Sequence, residues 1–198
     1  MKIIISLLTI LFFTTSYSQD AESVLKSLQK KFDSINDLSV EVTQKSNSKS
    51  VLTGKMFFKK ENNIKIEFPN QTIVTDGKTS WNYNKKTNKV IISNYDDAGS
   101  DFLSINYLVY QFPTECNLSI SEENGMQVLV LNPKSKQNNL EMIKLFITKD
   151  DLISRATILS QSGALTEISF NNYKLNPKLS SSLFTFTPPK GTAVIDLR

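Results

Sequence analysis

The spacing of apolar positions changes period along the chain. From Asp20, the residues Ala21, Val24, Leu25, Leu28, Phe32 and Ile35 recur three and four apart, with Lys26, Lys30, Lys31 and Asp33 between them. This predicts one amphipathic helix, with Asp20 or Ser23 as its cap. From Leu38 the period is two. Leu38, Val40 and Val42 alternate with Ser39, Glu41 and Thr43, and Met56, Phe58, Ile64, Ile66 and Phe68 carry the alternation on. Further strands are predicted over 79–83, 89–93, 117–121, 126–131, 140–148, 152–160 and 165–173, about eleven in all with antiparallel neighbours. Asp76-Gly77 and Asn124-Gly125 are hairpin signals. Helical spacing returns once, in Phe102, Leu103, Ile105, Leu108, Val109 and Phe112. A second helix is predicted over 101–112, stopped by Pro113.

Two helices on one long antiparallel sheet make an α+β layer. A sheet of that many twisted strands curls or closes, and its concave face must be filled by the helices or by a ligand. If Met56, Phe58, Ile64 and Ile66 share that face with the similarly phased Trp81 and Tyr83, they line an apolar cleft. Alternation alone favours a plain hydrophobic core over a cleft, because it marks a buried face without saying what buries it.

The first residues read as a leader. Lys2 precedes an apolar run from Ile3 to Phe13, followed by small and polar residues ending Ser16-Tyr17-Ser18. That is the layout of a cleaved secretory signal, and the run is shorter than the about 20 residues that span a bilayer. The expected organisation is a signal over 1–18 and one exported, soluble domain over 19–198. No cysteine stands near the junction, so an N-terminal lipid anchor is not expected.

Composition narrows the chemistry. At 198 residues, with 39% apolar, 10% aromatic and 21% charged positions, the chain suits one globular core and not disorder or a coiled coil. It has no histidine, which removes Ser-His-Asp and Cys-His catalysis and His-ligated zinc. The single cysteine, Cys116, can form neither an internal disulfide nor a thiolate cluster and reads as a buried apolar residue. The six glycines form no phosphate-cradling motif. The acidic pairs Asp96-Asp97, Glu122-Glu123 and Asp150-Asp151 flank turns, and neighbours on a strand point to opposite faces, so none makes a catalytic pair. The stretch 96–101 lacks the oxygen spacing of a calcium loop. The formal charge of +4 comes from scattered cations, which suits anionic headgroups or an acidic partner better than nucleic acid. A binding protein without catalytic residues, metal or cofactor is the expectation.

Three strings carry a likeness. They are Val74-Thr75-Asp76-Gly77-Lys78-Thr79-Ser80-Trp81-Asn82-Tyr83; Phe184-Thr185-Phe186-Thr187-Pro188-Pro189-Lys190-Gly191 with Val194 and Asp196 after it; and Val42-Thr43-Gln44-Lys45 followed by Gly54-Lys55-Met56-Phe57-Phe58-Lys59-Lys60. In order and spacing they resemble the outer-membrane lipoprotein carrier family (LolA type). The resemblance implies an incomplete, unclosed antiparallel β-barrel of about 11 strands, with α-helices as a lid over a hydrophobic cavity. It also implies a monomeric periplasmic chaperone that takes acylated lipoproteins from an inner-membrane ABC transporter to an outer-membrane receptor or membrane. Carried onto this chain, the lipid-binding wall is Val40, Val42, Met56, Phe58, Ile64, Ile66 and Trp81. Lys60 stands where the family often has an arginine that latches the lid, and a lysine lacks the planar fork of that group. Ile64, Lys65 and Ile66 replace a more aromatic stretch. The alternative is a lipid or lipoprotein sensor on the same half-barrel, without onward transport.

Overall fold

The computed structural model describes residues 20–47, 50–95, 106–135 and 139–198. The predicted leader, the acidic stretch 96–101 and the first part of the second predicted helix lie outside the described residues.

The chain opens with helix α1 (Ala21–Asp33). Asp20 caps it in extended conformation, its Oδ1 accepting from the Ser23 amide at 2.6 Å. Glu22 in the first turn and Lys30 and Lys31 in the last suit the helix dipole. Val24, Leu28 and Phe32, four apart, form its buried stripe.

Among the described residues, twelve strands follow in one sheet. The first six are β1 (Asp37–Ser46), β2 (Ser50–Lys59), β3 (Asn63–Glu67), β4 (Gln71–Asp76), β5 (Thr79–Asn84) and β6 (Lys89–Asn94). A π-helical turn (Tyr107–Gln111) and a 3-10 turn (Phe112–Glu115) then lead to β7 (Cys116–Glu123). The rest are β8 (Met126–Pro133), β9 (Leu140–Ile147), β10 (Ile153–Ser160), β11 (Leu165–Leu175) and β12 (Ala193–Asp196). The spatial order is β12-β6-β5-β4-β3-β2-β1-β11-β10-β9-β8-β7, so the two edges, β12 and β7, do not pair and the barrel is unclosed. Register shifts at Ser39/Glu41, Ile153/Arg155 and Leu159/Ser160 add the local bends that curl such a sheet.

Asn124 and Gly125, both at positive φ, make the two-residue turn expected between β7 and β8. At Asp76-Gly77 the turn is one residue later: Asp76 closes β4, and its Oδ1 accepts from the amides of Lys78 and Thr79. The helical pattern near Pro113 departs from expectation. Among the described residues it is a π turn, with the Phe112 amide donating to the Tyr107 carbonyl. Pro113 does not end it but sits in the first turn of the 3-10 element, where no amide hydrogen is needed. The twelfth strand is a second departure, pairing in parallel with β6.

One contiguous apolar cluster joins the underside of α1 and the π turn to the concave face of the sheet from β7 round to β3. After β11 the chain crosses to the convex face. Lys59 Nζ donates to the Leu179 carbonyl at 3.3 Å and to Ser181 Oγ at 2.9 Å. A 3-10 turn (Ser181–Phe184) then packs on β3 and β4, with Phe184 fully buried.

Candidate functional site

The cross-strand pairs decide which side chains share the concave face, because residues directly opposite in a sheet point the same way. Val40 pairs with Met56, Met56 with Ile66, Leu38 with Phe58 and Phe58 with Ile64. Val42 lies on the same face two residues beyond Val40, opposite Gly54 and Phe170. The structure thus brings Val40, Val42, Met56, Phe58, Ile64 and Ile66 onto one wall, all within or against the main core cluster.

Trp81 does not join them, which corrects the expected wall. Ile66 pairs with Ile73 and Ile73 with Asn82, whereas Trp81 pairs with Val74 and Val74 with Lys65. Trp81 therefore faces the convex side, as does Tyr83, whose ring meets Phe186 at 5.4 Å. The reason lies in β4, where Ile73 and Val74 are both apolar and point to opposite faces, so either phase reads as buried.

Gly54 is the one position of the wall where a side chain has no room. A Cβ there would overlap the Glu67 carbonyl and lie 2.7 Å from Phe68 Cδ1. Its absence lets the Phe68 ring fold over the wall and leaves that surface smooth and apolar.

Among the described residues the lid over the concave face has two parts, α1 and the π turn with the 3-10 turn that continues it. Leu28 and Phe32 come from the first and Leu108, Val109 and Phe112 from the second, all in the same buried cluster. Hydrogen bonds tie the parts together. Gln29 Nε2 donates to the Val109 carbonyl at 3.0 Å, and Tyr110 Oη donates to Asp33 Oδ1 at 2.7 Å and to the Gln29 carbonyl at 3.2 Å. Burial, and then the bond to Asp33, raise the Tyr110 phenol above its ordinary range, so it stays a donor.

Lys60 does reach the lid. Its Nζ donates to the Asp33 carbonyl at 2.8 Å, at the C-terminal end of α1 where orphan carbonyls and the dipole favour a cation. Sequence reasoning named this lysine but missed Tyr110 and Gln29, which pin the two lid parts to each other. The signal available was a tyrosine and a glutamine on otherwise apolar, lid-forming segments.

Among the described residues, two open hollows lie along β7. One, of about 740 Å³, lies at the turns β7–β8 and β9–β10, and its walls Ile120 and Ile147 continue the apolar cluster. The other, of about 720 Å³, lies at the start of α1 between Asp20, Glu22, Cys116 and Lys134. Burial pushes the Cys116 thiol up to about 11, so it is neutral and unreactive at ordinary pH. Among the described residues no cluster of acids and cysteine is placed to hold a metal ion. No described helix is long and apolar enough to cross a membrane.

Comparison with known proteins agrees with this geometry. The family model described as "Outer membrane lipoprotein carrier protein LolA" matches residues 33–187. An outer-membrane lipoprotein carrier protein of Legionella pneumophila (strain Lens) is 26% identical over 198 residues, with 96% of each chain covered. One from Neisseria meningitidis is 32% identical over 129 residues, covering 63% of this chain and 61% of its own. Among solved structures, an uncharacterized conserved protein from Thermus thermophilus superposes with a TM-score of 0.61 at 16% identity, covering 89% of this chain and 98% of its own. The Mycobacterium tuberculosis lipoprotein LppX superposes at 0.50 and 10% identity, covering 81% and 97%. These two share the fold.

Proposed function

We propose that this chain, which belongs to the outer membrane lipoprotein carrier (LolA) family, shields the acyl chains of lipoproteins beneath its lid and carries them across the periplasm from the inner to the outer membrane. The observation that carries this reading is the continuous apolar wall of β1–β3, which shares one buried cluster with α1 and the π turn, elements held by hydrogen bonds from Gln29, Tyr110 and Lys60. In this reading Val40, Val42, Met56, Phe58, Ile64 and Ile66 bind the acyl chains. Lys60 latches the lid through Asp33.

The energetics suit transfer better than storage. Each methylene moved out of water contributes about 0.8 kcal/mol, so acyl chains of ordinary length bind strongly to any open apolar wall. Here the wall is already covered by Leu28, Phe32 and their neighbours. An incoming chain replaces burial that the lid gives up, and only the difference remains as affinity. A near-balanced exchange lets cargo be taken up and released without chemistry.

The reading includes a leader over 1–18 that is removed, one domain over 19–198, and action as a soluble monomer. An inner-membrane ABC transporter is the donor, and an outer-membrane receptor or the membrane itself is the acceptor. The test is to incubate the chain from residue 19 onward with energised spheroplasts of its source. Release of acylated lipoproteins into the supernatant in complex with it is expected, and acyl-deficient cargo stays behind. Equal release of both cargoes would overturn the proposal.

A further inference from the structure

The two ends of the sheet differ in charge. One end carries the turns β3–β4, β5–β6, β8–β9 and β10–β11 and the loop before β12. Among the described residues of these turns the charged ones are Lys85, Lys86, Lys134 and Lys190, all exposed, and none is acidic. The acids beside these turns are Glu115, in the turn that leads into β7, and Asp20 and Glu22 at the start of α1, which share a hollow with Lys134 and leave the Lys85, Lys86 and Lys190 part of this end as its basic side. At the opposite end, Glu61, Asp150 and Asp151 occupy the turns and offset Lys60, Lys78 and Lys149.

The fold gathers part of the basic end into a cluster. Asn88 Nδ2 donates to the Gly191 carbonyl at 3.0 Å, Thr192 Oγ1 donates to Asn88 Oδ1 at 2.9 Å, and the Ala193 amide donates to the Asn88 carbonyl at 3.0 Å. These bonds hold the Lys190 loop against the Lys85-Lys86 turn. At the same end the β1–β2 hairpin runs past its neighbour β3, which pairs only as far as Lys55. Near its tip Val51 and Leu52 are 59% and 40% exposed. Leu165, 44% exposed, sits beside them, its amide donating to Asn47 Oδ1 at 3.0 Å.

We propose that this end of the half-barrel is a docking face for a lipid bilayer bearing anionic headgroups. Lysines at loop tips supply the long-range attraction to such a surface, and the projecting Val51, Leu52 and Leu165 supply shallow apolar contact with it. A rim of separate tips lacks the flat, continuous area that a protein interface of standard size needs, whereas a fluid headgroup layer adapts to it. The proposal stands apart from the acyl-chain reading, since it concerns the loop ends and not the wall under the lid.

The experiment is co-sedimentation of the chain from residue 19 onward, which contains every described residue, with phosphatidylglycerol–phosphatidylethanolamine vesicles and with phosphatidylcholine vesicles. Binding to the anionic vesicles only, weakening as salt shortens the range of the attraction, is expected. Lys86→Gln with Lys190→Gln lowers that binding by roughly 25-fold, about fivefold per lysine. Lys78→Gln with Lys149→Gln at the other end leaves it unchanged, and both pairs keep the parent's thermal transition. Equal binding to both vesicle types overturns the proposal, as does equal weakening by both pairs. So does absence of vesicle binding, even where an acidic protein is held by the same lysines.

Discussion

Strands β1–β3 and strands β5–β6 belong to one sheet, yet they bury opposite faces. On β1–β3 the buried side chains Val40, Met56 and Ile64 point into the concavity and lie in one buried cluster with Leu28, Phe32 and Leu108. On β5 and β6 the apolar Trp81, Tyr83, Val90 and Ile92 point outward, and Ser80, Asn82 and Ser93 take the concave side. The difference follows from what covers each region. The first shares its buried cluster with a helix and a turn, whereas the C-terminal segment packs its buried Phe184 on the outer side of β3 and β4 and then sets Phe186 against Tyr83 of the second. One side of the molecule is a core covered by a lid, and the other is a core fastened by the chain's own tail. A carrier can open the first without touching the second.

The sharpest way to break this division is to weaken the fastened side. Phe184→Ala removes a fully buried ring and is expected to lower stability by about 3–5 kcal/mol, read by chemical denaturation. Acyl-chain binding, measured well below the transition, should stay within twofold of the parent (roughly 0.4 kcal/mol). A parallel fall in binding would mean that the two faces are not independent. The complementary change is Phe58→Glu on the wall. Phe58 is only half-buried, so the destabilisation is smaller, about 1–3 kcal/mol, while a charge on the wall is expected to reduce acyl-chain binding by more than about tenfold. Undiminished binding of a fluorescent fatty acid by this variant would remove the wall assignment.

How far the sequence made this legible depends on how local each feature is. Helix α1 is readable because its cap, apolar stripe and dipole-matched charges lie within 14 consecutive positions, Asp20 to Asp33. Strands β1 and β3 are readable because only one phase is apolar. The side of Trp81 is not, because Ile73-Val74 is apolar in both phases and erases the parity that would pass from β3 to β5. β12 has four exposed residues and no alternation, so only its pairing with β6 identifies it. The pins between the lid parts span 77 to 81 positions, a distance over which no periodicity speaks.

Those pins give the next prediction. Tyr110→Phe keeps the ring in place and removes the donor to Asp33 and Gln29. The loss is about 1–1.5 kcal/mol of lid closure, so amide exchange in α1 should quicken by about tenfold while exchange in β1 and β11 stays as it was. Lys60→Ala removes the hydrogen bond to the Asp33 carbonyl and is expected to add to this effect, because it loosens the same end of α1 while the Gln29 bond to Val109 persists. A uniform rise in exchange across the sheet would mean that the lid does not open as a separate unit.

The smallest expected effect separates the start of the lid from its end. Cys116 begins β7 beside the first turn of α1 and is buried in the main cluster, and burial pushes its thiol from 9.0 to about 11. A group whose pKa is raised by folding favours the folded state below its unfolded value and loses that contribution as pH rises through the folded value. Stability should therefore decline between about pH 9 and 11, as the unfolded chain ionises its thiol and the folded one resists. Cys116→Ala flattens this part of the profile at a modest loss of stability at neutral pH. Tyr110 and Tyr173, also raised by burial, decline at higher pH than the thiol and so leave the lower part of this window to Cys116. A profile unchanged by the substitution would show that the thiol is reached by water in the folded state. The α1 end of the lid would then be the looser of the two, with Tyr110, Asp33 and Lys60 fastening the other.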